Sequence, residues 1–561
     1  MTVKLEIGHW AEKGKQDVYV EEGLSLLEIA EKYASDRSFP IIGALYEHEV
    51  VDLYTAVHKQ GTVLWLDLAS THGMRIYKQS LVMLLAQAVR ELFPHWTLNV
   101  HHALGKHCYC ELEGTTRPSS KTLELISEYM DHLIENDEPI VPHDYPVVEG
   151  IPMLDQAGYP RTARLLENAK KETIRIYTMG SQIFHSFYAL APSAGCLAVF
   201  SLEPYENGFL LRYPAENAPG HVAPLTEMPR VAGILRETRN WTKILNVSDV
   251  YDIHQMVAQG PEKVTDLVHI SEALQEKFLA NVADQIYEDR DRLRVVLIAG
   301  PSSSGKTTFC YRMAIQLRVL GLRPMILSTD NYFVNRWETP TNPDGSYDFE
   351  SLRAINIDLF NQNLAGLIAG EEVVTPTFNF KEGVRIDDGR KLKLEPGHPL
   401  IIEGIHALNE ALTPAVSRGM KFKIYISSMV QIDIDSYNRV ATSDARLLRR
   451  IVRDYMYRGR TAESTLQLWP SVRQGEEQNI FPFQEDADSI FNTALLYETG
   501  VFKKYAEPLL QQIRSDVIEY ADARRLLSIL SYFPDIEDAC VPLNSIIREF
   551  IGGGSIHEES T

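Results

Sequence analysis

Cysteine is scarce in this chain: five among 561 residues, at Cys108, Cys110, Cys196, Cys310 and Cys540. So few, so scattered, are not a disulfide framework. Long apolar runs are missing, and no stretch approaches the roughly 18 apolar residues of a membrane span. The opening "MTVKLEIGHW" lacks a basic start, an apolar core and a cleavage site. No signal peptide is expected there, and a cytoplasmic protein without membrane attachment is expected. Positive charge is in deficit: 55 Lys and Arg against 76 Asp and Glu give a formal net charge of −21. An acidic surface repels phosphate backbones, which argues against generic nucleic-acid binding and leaves only local basic patches. The chain has no internal repeat and no low-complexity tract beyond "GGGS" at Gly552–Ser555. It also lacks an N-K-x-D motif, which a guanine-reading GTPase would need.

What is present reads as globular, with 45% hydrophobic and 23% charged residues. The length suggests roughly three or four domains. The expected fold class is a multidomain α+β and α/β protein. Residues 1–68 read as strand, strand, helix and short strands, with "EEGLSLLEIA" and "TVLWLDL" as the clearest elements. Residues 69–230 begin with an amphipathic helix, "YKQSLVMLLAQAVRELFP", and hold a strand, "HCYCELEG". A second helix follows, with Ser119 or Ser120 at its start. Residues 231–275 read as a connecting region with a break at "GPEK". Residues 276–500 read as an α/β domain with a parallel sheet, and 501–561 as a helical extension and tail.

The strongest signal is "GPSSSGKT", which fits G-x-x-x-x-G-K-[ST] with Gly300, Gly305, Lys306 and Thr307. The apolar run Val295–Ala299 before it reads as a buried parallel strand, and "TTFCYRMAIQLRVLG" reads as the following helix. In that context glycines let backbone N–H groups approach phosphates. Candidate ATP-binding residues are Gly300, Ser302, Ser303, Ser304, Gly305, Lys306, Thr307 and Thr308. Lys306 would neutralise the β and γ phosphates, and Thr307 would hold Mg²⁺. Two later strands, in "RPMILSTDNYF" and "HPLIIEGIHAL", carry Asp330 and Glu403 at their carboxyl ends. Ligands of open α/β sheets bind there. Phosphoryl transfer needs a metal, a cradle and a group to take the acceptor's proton. Asp330 suits the last role, and Glu403 suits a metal-shell carboxylate. In "SDARLLRRIVRDYMYRGR", helical spacing gathers Arg446, Arg449, Arg450 and Arg453 on one face, with Arg458 and Arg460 at a Gly hinge. Such a cluster suits a lid closing on triphosphate.

Together, "AGPSSSGKTTF", "STDNYF", "IIEGIHAL" and "RRIVRDYMYRGR" resemble the uridine kinase and phosphoribulokinase family over about 294–497. The resemblance implies Asp330 as base, a metal shell of Thr307, Asp330 and Glu403, ATP with Mg²⁺, and a lid bearing Arg453, Arg458 and Arg460. Lys306 joins Asp330 and those arginines as the catalytic set. It implies substrate contacts at Asp330, Tyr332, Phe349, Glu350, Phe378, Arg385 and Arg450, with Glu350 holding ribose hydroxyls. The family's base-pocket segment is P-x-Y-D-F-x-x-H-x-R; here it reads "PTFNFKEGVR", so Phe378 replaces Tyr and Gly383 replaces His. The resemblance thus implies a kinase for a nucleoside, uridine or cytidine first, with base selectivity open. A phosphoribulokinase-like sugar kinase is the alternative, followed by a regulatory or RNA-binding protein with a vestigial P-loop domain.

The front half resembles a TGS β-grasp domain followed by the second additional domain of threonyl-tRNA synthetase. That domain uses an H-x-x-x-H helix pair and a later Cys and His. The helix pair falls on Gln79 and Met83 here, the later pair near Ser186 and Leu190. Met83 cannot replace an imidazole and Leu190 cannot bind metal, so hydrolytic editing is not expected. His101, His102, His107, Cys108 and Cys110 lack four-ligand zinc spacing, and burial of the cysteines is expected instead. Docking or regulatory modules with an RNA or amino-acid ligand are the expectation. Oligomeric state is not legible. The tail reads equally as a loosely held end or an active-site cap.

Overall fold

The computed structural model describes residues 2–10, 14–34, 39–115, 117–169, 171–342, 345–387 and 389–556. The extreme ends of the first and last expected segments, Met1 and 557–561, lie outside the described residues. No described helix is long and apolar enough to cross a membrane.

The chain opens with a five-stranded mixed sheet of β1 (Thr2–His9), β2 (Lys15–Glu21), β3 (Gly43–Tyr46), β4 (Glu49–Val51) and β5 (Gly61–Leu66), in the order β2-β1-β5-β3-β4. Only β1 and β5 pair in parallel. Helix α1 (Leu26–Tyr33) packs on it and starts at a capping box: Glu28 N donates to Ser25 Oγ, and the Glu28 carboxylate accepts from Ser25 N.

Helix α2 (Thr71–Leu92), capped by Ser70, departs from the amphipathic expectation. It is buried almost all round between Ser70 and Val89, because strands pack on several sides. Strands β6 (Thr97–Leu104) and β7 (His107–Glu113) precede α3 (Ser120–Glu135), whose cap is Ser119. Then come β8 (Val141–Pro146), α4 (Val147–Gln156), α5 (Pro160–Glu167), β9 (Thr173–Met179), β10 (Gln182–His185), β11 (Ser201–Tyr205) and β12 (Gly208–Arg212). They form two antiparallel sheets, β11-β12-β7-β6 and β10-β9-β8.

The expected connecting region 231–275 is not a linker. It consists of α6 (Pro229–Leu245), α7 (Val250–Gln259) and the start of α8 (Pro261–Glu288). "GPEK" marks no domain break. Gly260, at φ +113, ends α7 and starts α8, and Pro261 takes the first helical position. Val250, Ile253, Leu267 and Leu279 join the core that also holds strands of the rear half, among them Val296, Ile298 and Ile401. The expected boundaries at 230/231, 275/276 and 500/501 all cut helices: α6, α8 and α13 (Glu498–Gln511). Leu165, Leu166, Ile174 and Ile176 of the front half lie in that same core, so the modules share an interior.

The rear half is built on five parallel strands: β13 (Val295–Ala299), β14 (Met325–Ser328), β17 (Leu400–Glu403), β18 (Lys421–Ser427) and β19 (Ser489–Asn492), in the order β14-β17-β13-β18-β19. A hairpin of β15 (Thr377–Asn379) and β16 (Val384–Ile386) projects from it. Helices α9 (Lys306–Val319), α10 (Ile357–Ile368), α11 (Thr442–Arg458), α12 (Ala462–Asn479) and α13 flank the sheet. Helix α14 (Tyr520–Leu530) and the short α15 (Arg548–Ile551) complete the described chain.

Candidate active site

Strand β13 is buried along its whole length, and the chain turns sharply at its end. A Cβ on Gly300 would meet the Ile426 carbonyl oxygen at 2.1 Å, so only glycine lets the loop pass β18. Gly305 takes φ +85 and opens α9, with a Cβ position 2.5 Å from Ile546 Cγ2. Lys306 Nζ donates to the Gly300 and Pro301 carbonyls at 3.0 and 3.2 Å. Thr307 lies beside it, half-buried. The hydroxyls of Ser303 and Ser304 are buried with no partner among the described residues. The loop's backbone donors are engaged by acids: Ser302 N donates to Glu476 Oε1 and Thr308 N to Glu549 Oε2, each at 3.1 Å.

Asp330 stands on a short turn just past β14, and Ser328 links it to the neighbouring strand end. The Ser328 hydroxyl accepts from Asp330 N at 3.3 Å and donates to Glu403 Oε1 at 2.6 Å. Burial raises the Asp330 carboxyl, while Lys306, Arg458 and Arg453 pull it down. Glu350 is pushed up to about 7 by burial, against Arg450 and Lys306 and reinforced by Glu476 and Asp330. Lys306, Asp330, Glu350, Arg450, Arg453 and Arg458 therefore share one electrostatic neighbourhood at the carboxyl ends of the strands.

Helix α11 divides its arginines in a way the spacing did not show. Arg446 and Arg449 are only 1% and 0% exposed and cannot swing over a phosphate. Arg446 forks onto Glu476, with Nη2 at 2.8 Å, and Arg449 Nη2 reaches Glu498 at 2.6 Å. Both also touch P-loop carbonyls, of Ser302 and Ser303. They brace the loop from behind. Arg450, Arg453, Arg458 and Arg460 instead surround the buried Asp454, at 3.5, 3.0, 3.7 and 4.0 Å. Arg450 Nη1 also donates to Ser302 Oγ at 2.6 Å.

The expected substrate contacts separate similarly. Tyr332 is a core residue: fully buried, its ring meets Phe360 edge-on and its hydroxyl accepts from Asn363 Nδ2 at 3.1 Å. Its large apolar ring goes inward where the turn offers a pocket, so it does not reach the cleft. Phe349 is 42% exposed beside Tyr347. Phe378 faces Arg385 across the β15–β16 hairpin and packs against Phe333 and Phe380. Arg385 Nε donates to Asp387 at 2.7 Å. The guanidinium of Arg458 lies 6.0 Å over the Phe380 ring, joining the end of α11 to the hairpin. Gly383 takes φ +72, and a Cβ there would sit 2.6 Å from Arg336 Nε. Arg336, Glu476, Glu549 and His406 escaped the sequence reading. Burial holds His406 neutral, down to about 4, behind the Glu350 loop. The EGIHAL motif contained it, but nothing in the motif said it would turn inward.

The tail is not a loose end. Ile546 and Phe550 are fully buried, the Phe550 ring lies 5.3 Å from the Arg449 guanidinium, and Glu549 reaches the P-loop. In the front half, Gln79 Nε2 donates to Asn438 Oδ1 at 3.0 Å, Met83 and Leu190 are buried apolar residues, and the Ser186 hydroxyl donates to the Tyr188 carbonyl at 2.9 Å. Cys108 and Cys110 are buried, Cys108 Sγ lies 3.7 Å from the Tyr213 hydroxyl, and His107 Nε2 donates to the Pro224 carbonyl at 3.3 Å.

The sequence pattern of the phosphoribulokinase/uridine kinase family matches residues 295–498 and leaves 1–294 and 499–561 outside. A uridine kinase of Macrococcus caseolyticus is 32% identical over 197 residues, 35% of this chain and 86% of its own. One of Chloroflexus aurantiacus is 29% identical over 198 residues, 35% of this chain and 85% of its own. A solved structure described as a possible uridine kinase from Bacillus stearothermophilus aligns over 36% of this chain and 89% of its own, at 19% identity and a TM-score of 0.24.

Proposed function

Because the chain belongs, through residues 295–498, to the phosphoribulokinase/uridine kinase family, we propose that it transfers the γ-phosphate of ATP to the 5′-hydroxyl of a nucleoside, uridine or cytidine first. The observation that supports this reading is the shared neighbourhood of Lys306, Asp330, Glu350, Arg450, Arg453 and Arg458. The acceptor oxygen attacks the γ-phosphorus while its proton passes to Asp330. The bond to the β-phosphate oxygen breaks, and ADP leaves. Lys306, Arg453, Arg458 and Arg460 would stabilise charge on the transferred group. Glu350, beside Arg450, would accept from the ribose hydroxyls, and Phe378 would stack on the base.

Thr307, Asp330 and Glu403 offer oxygen donors only, which suits Mg²⁺. When bound, the ion would neutralise charge on the β and γ phosphates. Arg336 stands where a side chain at Gly383 would go, so a guanidinium rather than an imidazole faces the base hairpin. That absence of the family's Tyr and His supports a second reading, a sugar acceptor without a base. A panel of nucleosides and sugar alcohols with ATP and Mg²⁺ decides between them. Phosphorylation of none of them would overturn both.

In the same reading, the front half is a TGS-like β-grasp module and a synthetase-like module without chemistry of their own. The mixed sheet of β1–β5 with α1, and apolar or hydrogen-bonded residues at the four metal-ligand positions, support it. They would dock or regulate, with RNA or an amino acid as ligand. Stoichiometric zinc together with deacylation of threonyl- or seryl-tRNA would overturn this part.

A further inference from the structure

A cavity of about 280 Å³ lies between the front half and the end of α14, and no P-loop residue lines it. Its wall draws on Val50 and Val51 of β4, Asp144 of β8, Lys171 with strand β9, His185 of β10 with the segment after it, and Ser528 and Tyr532 at the end of α14. The volume far exceeds the roughly 10–15 Å³ that one water needs, so this is not a packing defect.

Its charged groups are arranged unevenly. Arg175 is fully engaged: it forks onto Asp144 and reaches Asp52 at 2.7 Å. Lys171 has no carboxylate partner among the described ion pairs. Its Nζ donates to the Tyr532 hydroxyl at 2.6 Å and lies 4.4 Å from that ring's centroid. Burial, with a second cation, Arg524, adding to it, lowers the ammonium to about 8. His185 extends the chain of contacts. Its Nδ1–H donates to the Arg175 carbonyl at 2.9 Å, which leaves Nε2 as an acceptor 3.5 Å from the Tyr532 hydroxyl. Burial holds that imidazole neutral. A phenol that accepts from an ammonium and donates to a neutral imidazole has no capacity left to balance charge. A half-buried cation without a counter-ion is costly unless an anion joins it.

We propose that this cavity binds a small metabolite through an oxyanion group, carboxylate or phosphate, held by the Lys171 ammonium, which the Tyr532–His185 pair positions. Most of the remaining lining is polar, with Val50, Val51 and Phe187 in its apolar part, which suits a small polar molecule. The site would report to the kinase half. Tyr532 follows α14, and Arg525 of α14 pairs with Asp444 in the first turn of α11, the arginine helix. A ligand that fixes α14 would bias α11, and ATP would alter that ligand's affinity by the same factor.

The test uses the full chain, with isothermal titration of inorganic phosphate, acetate, glycine and ribose 5-phosphate. At least one probe should bind, and Lys171→Met should weaken it at least tenfold while Lys171→Arg retains most of the affinity. Stronger binding by acetate and glycine assigns a carboxylate, and by the phosphates a phosphate. Phosphate also suits the P-loop, so Lys306→Ala is titrated in parallel. Binding lost in Lys306→Ala but kept in Lys171→Met belongs to the P-loop and overturns the proposal, as does a failure of every probe to bind. Should Lys171→Met not fold, Lys171→Gln removes the same charge while keeping a donor for the Tyr532 hydroxyl, and should weaken the same probe.

Discussion

The kinase cleft and the front cavity both gather cations, but they balance them differently. In the cleft, anion-binding groups already face internal acids. Asp454 is ringed by four arginines, Glu476 takes the Ser302 N–H, and Glu549 takes the Thr308 N–H. In the cavity, Lys171 has only a phenol. A phosphate entering the cleft must therefore exchange with carboxylates, and its net gain is the difference between two charge-assisted contacts. An anion entering the cavity displaces no acid from Lys171. The cleft suits a substrate that binds, reacts and leaves; the cavity suits a ligand that stays.

The largest break in this comparison should come from Asp330→Asn. The cradle remains while proton acceptance and one carboxylate of the metal shell are lost, so turnover should fall by roughly 10²–10⁴ while ATP titrated without Mg²⁺ binds as before. Steady-state kinetics beside equilibrium ATP titration would check this. Turnover within a few-fold of the parent would remove Asp330 from the base role.

Glu549→Gln tests the exchange itself. A charged hydrogen bond contributes roughly 1.5–3 kcal/mol, and the amide retains part of it, so KM for ATP should fall about three- to tenfold. The acceptor KM should hold. A rise in the ATP KM would show that Glu549 supports the donor site rather than competing for it.

Glu350 should make acceptor binding pH-dependent. Its carboxyl is raised from an ordinary 4.5 to about 7, so it is protonated below that value and loses acceptor capacity. The nucleoside KM should climb as pH drops from 8 to 6, and Glu350→Gln should flatten the profile. Stability runs the other way. A carboxyl raised on folding contributes fully below about 4.5, and that contribution is lost as pH rises through about 7. The melting temperature of Glu350→Gln should therefore gain on the parent between pH 5 and 8.

The smallest effect concerns the base. Phe378 and Gly383 offer no polar side-chain edge, so kcat/KM should differ by less than roughly a hundredfold among uridine, cytidine, inosine and adenosine. Arg336→Ala should narrow the spread further. A steep preference that survives Arg336→Ala would place base reading elsewhere.

The phosphate loop was legible because its physics is local: two glycines, a lysine and the flanking strand and helix all lie between Val295 and Val319. Asp330 and Glu403 were legible because both follow apolar runs that read as strands. Arg446 and Arg449 were not, since helical spacing places arginines on a face without saying whether it meets solvent or Glu476 and Glu498. Tyr332 sits in a legible motif, yet its direction depends on Phe360 and Asn363, some thirty residues away. The helices of 231–275 were hidden by polar residues and a Gly-Pro pair that resembles a break but joins two helices. Glu549 was least legible: nothing near it in sequence concerns phosphate.

That last contact also has a consequence in time. Roughly 240 residues separate Thr308 from Glu549, and synthesis at about 5–20 residues per second makes that roughly 12–50 seconds. Throughout that interval the nascent chain carries a phosphate loop whose Thr308 amide has no Glu549 to meet. Only once β18 and the bracing arginines of α11 are made is the loop held in shape, and from then until Glu549 follows, nucleotide meets it without its competing acid.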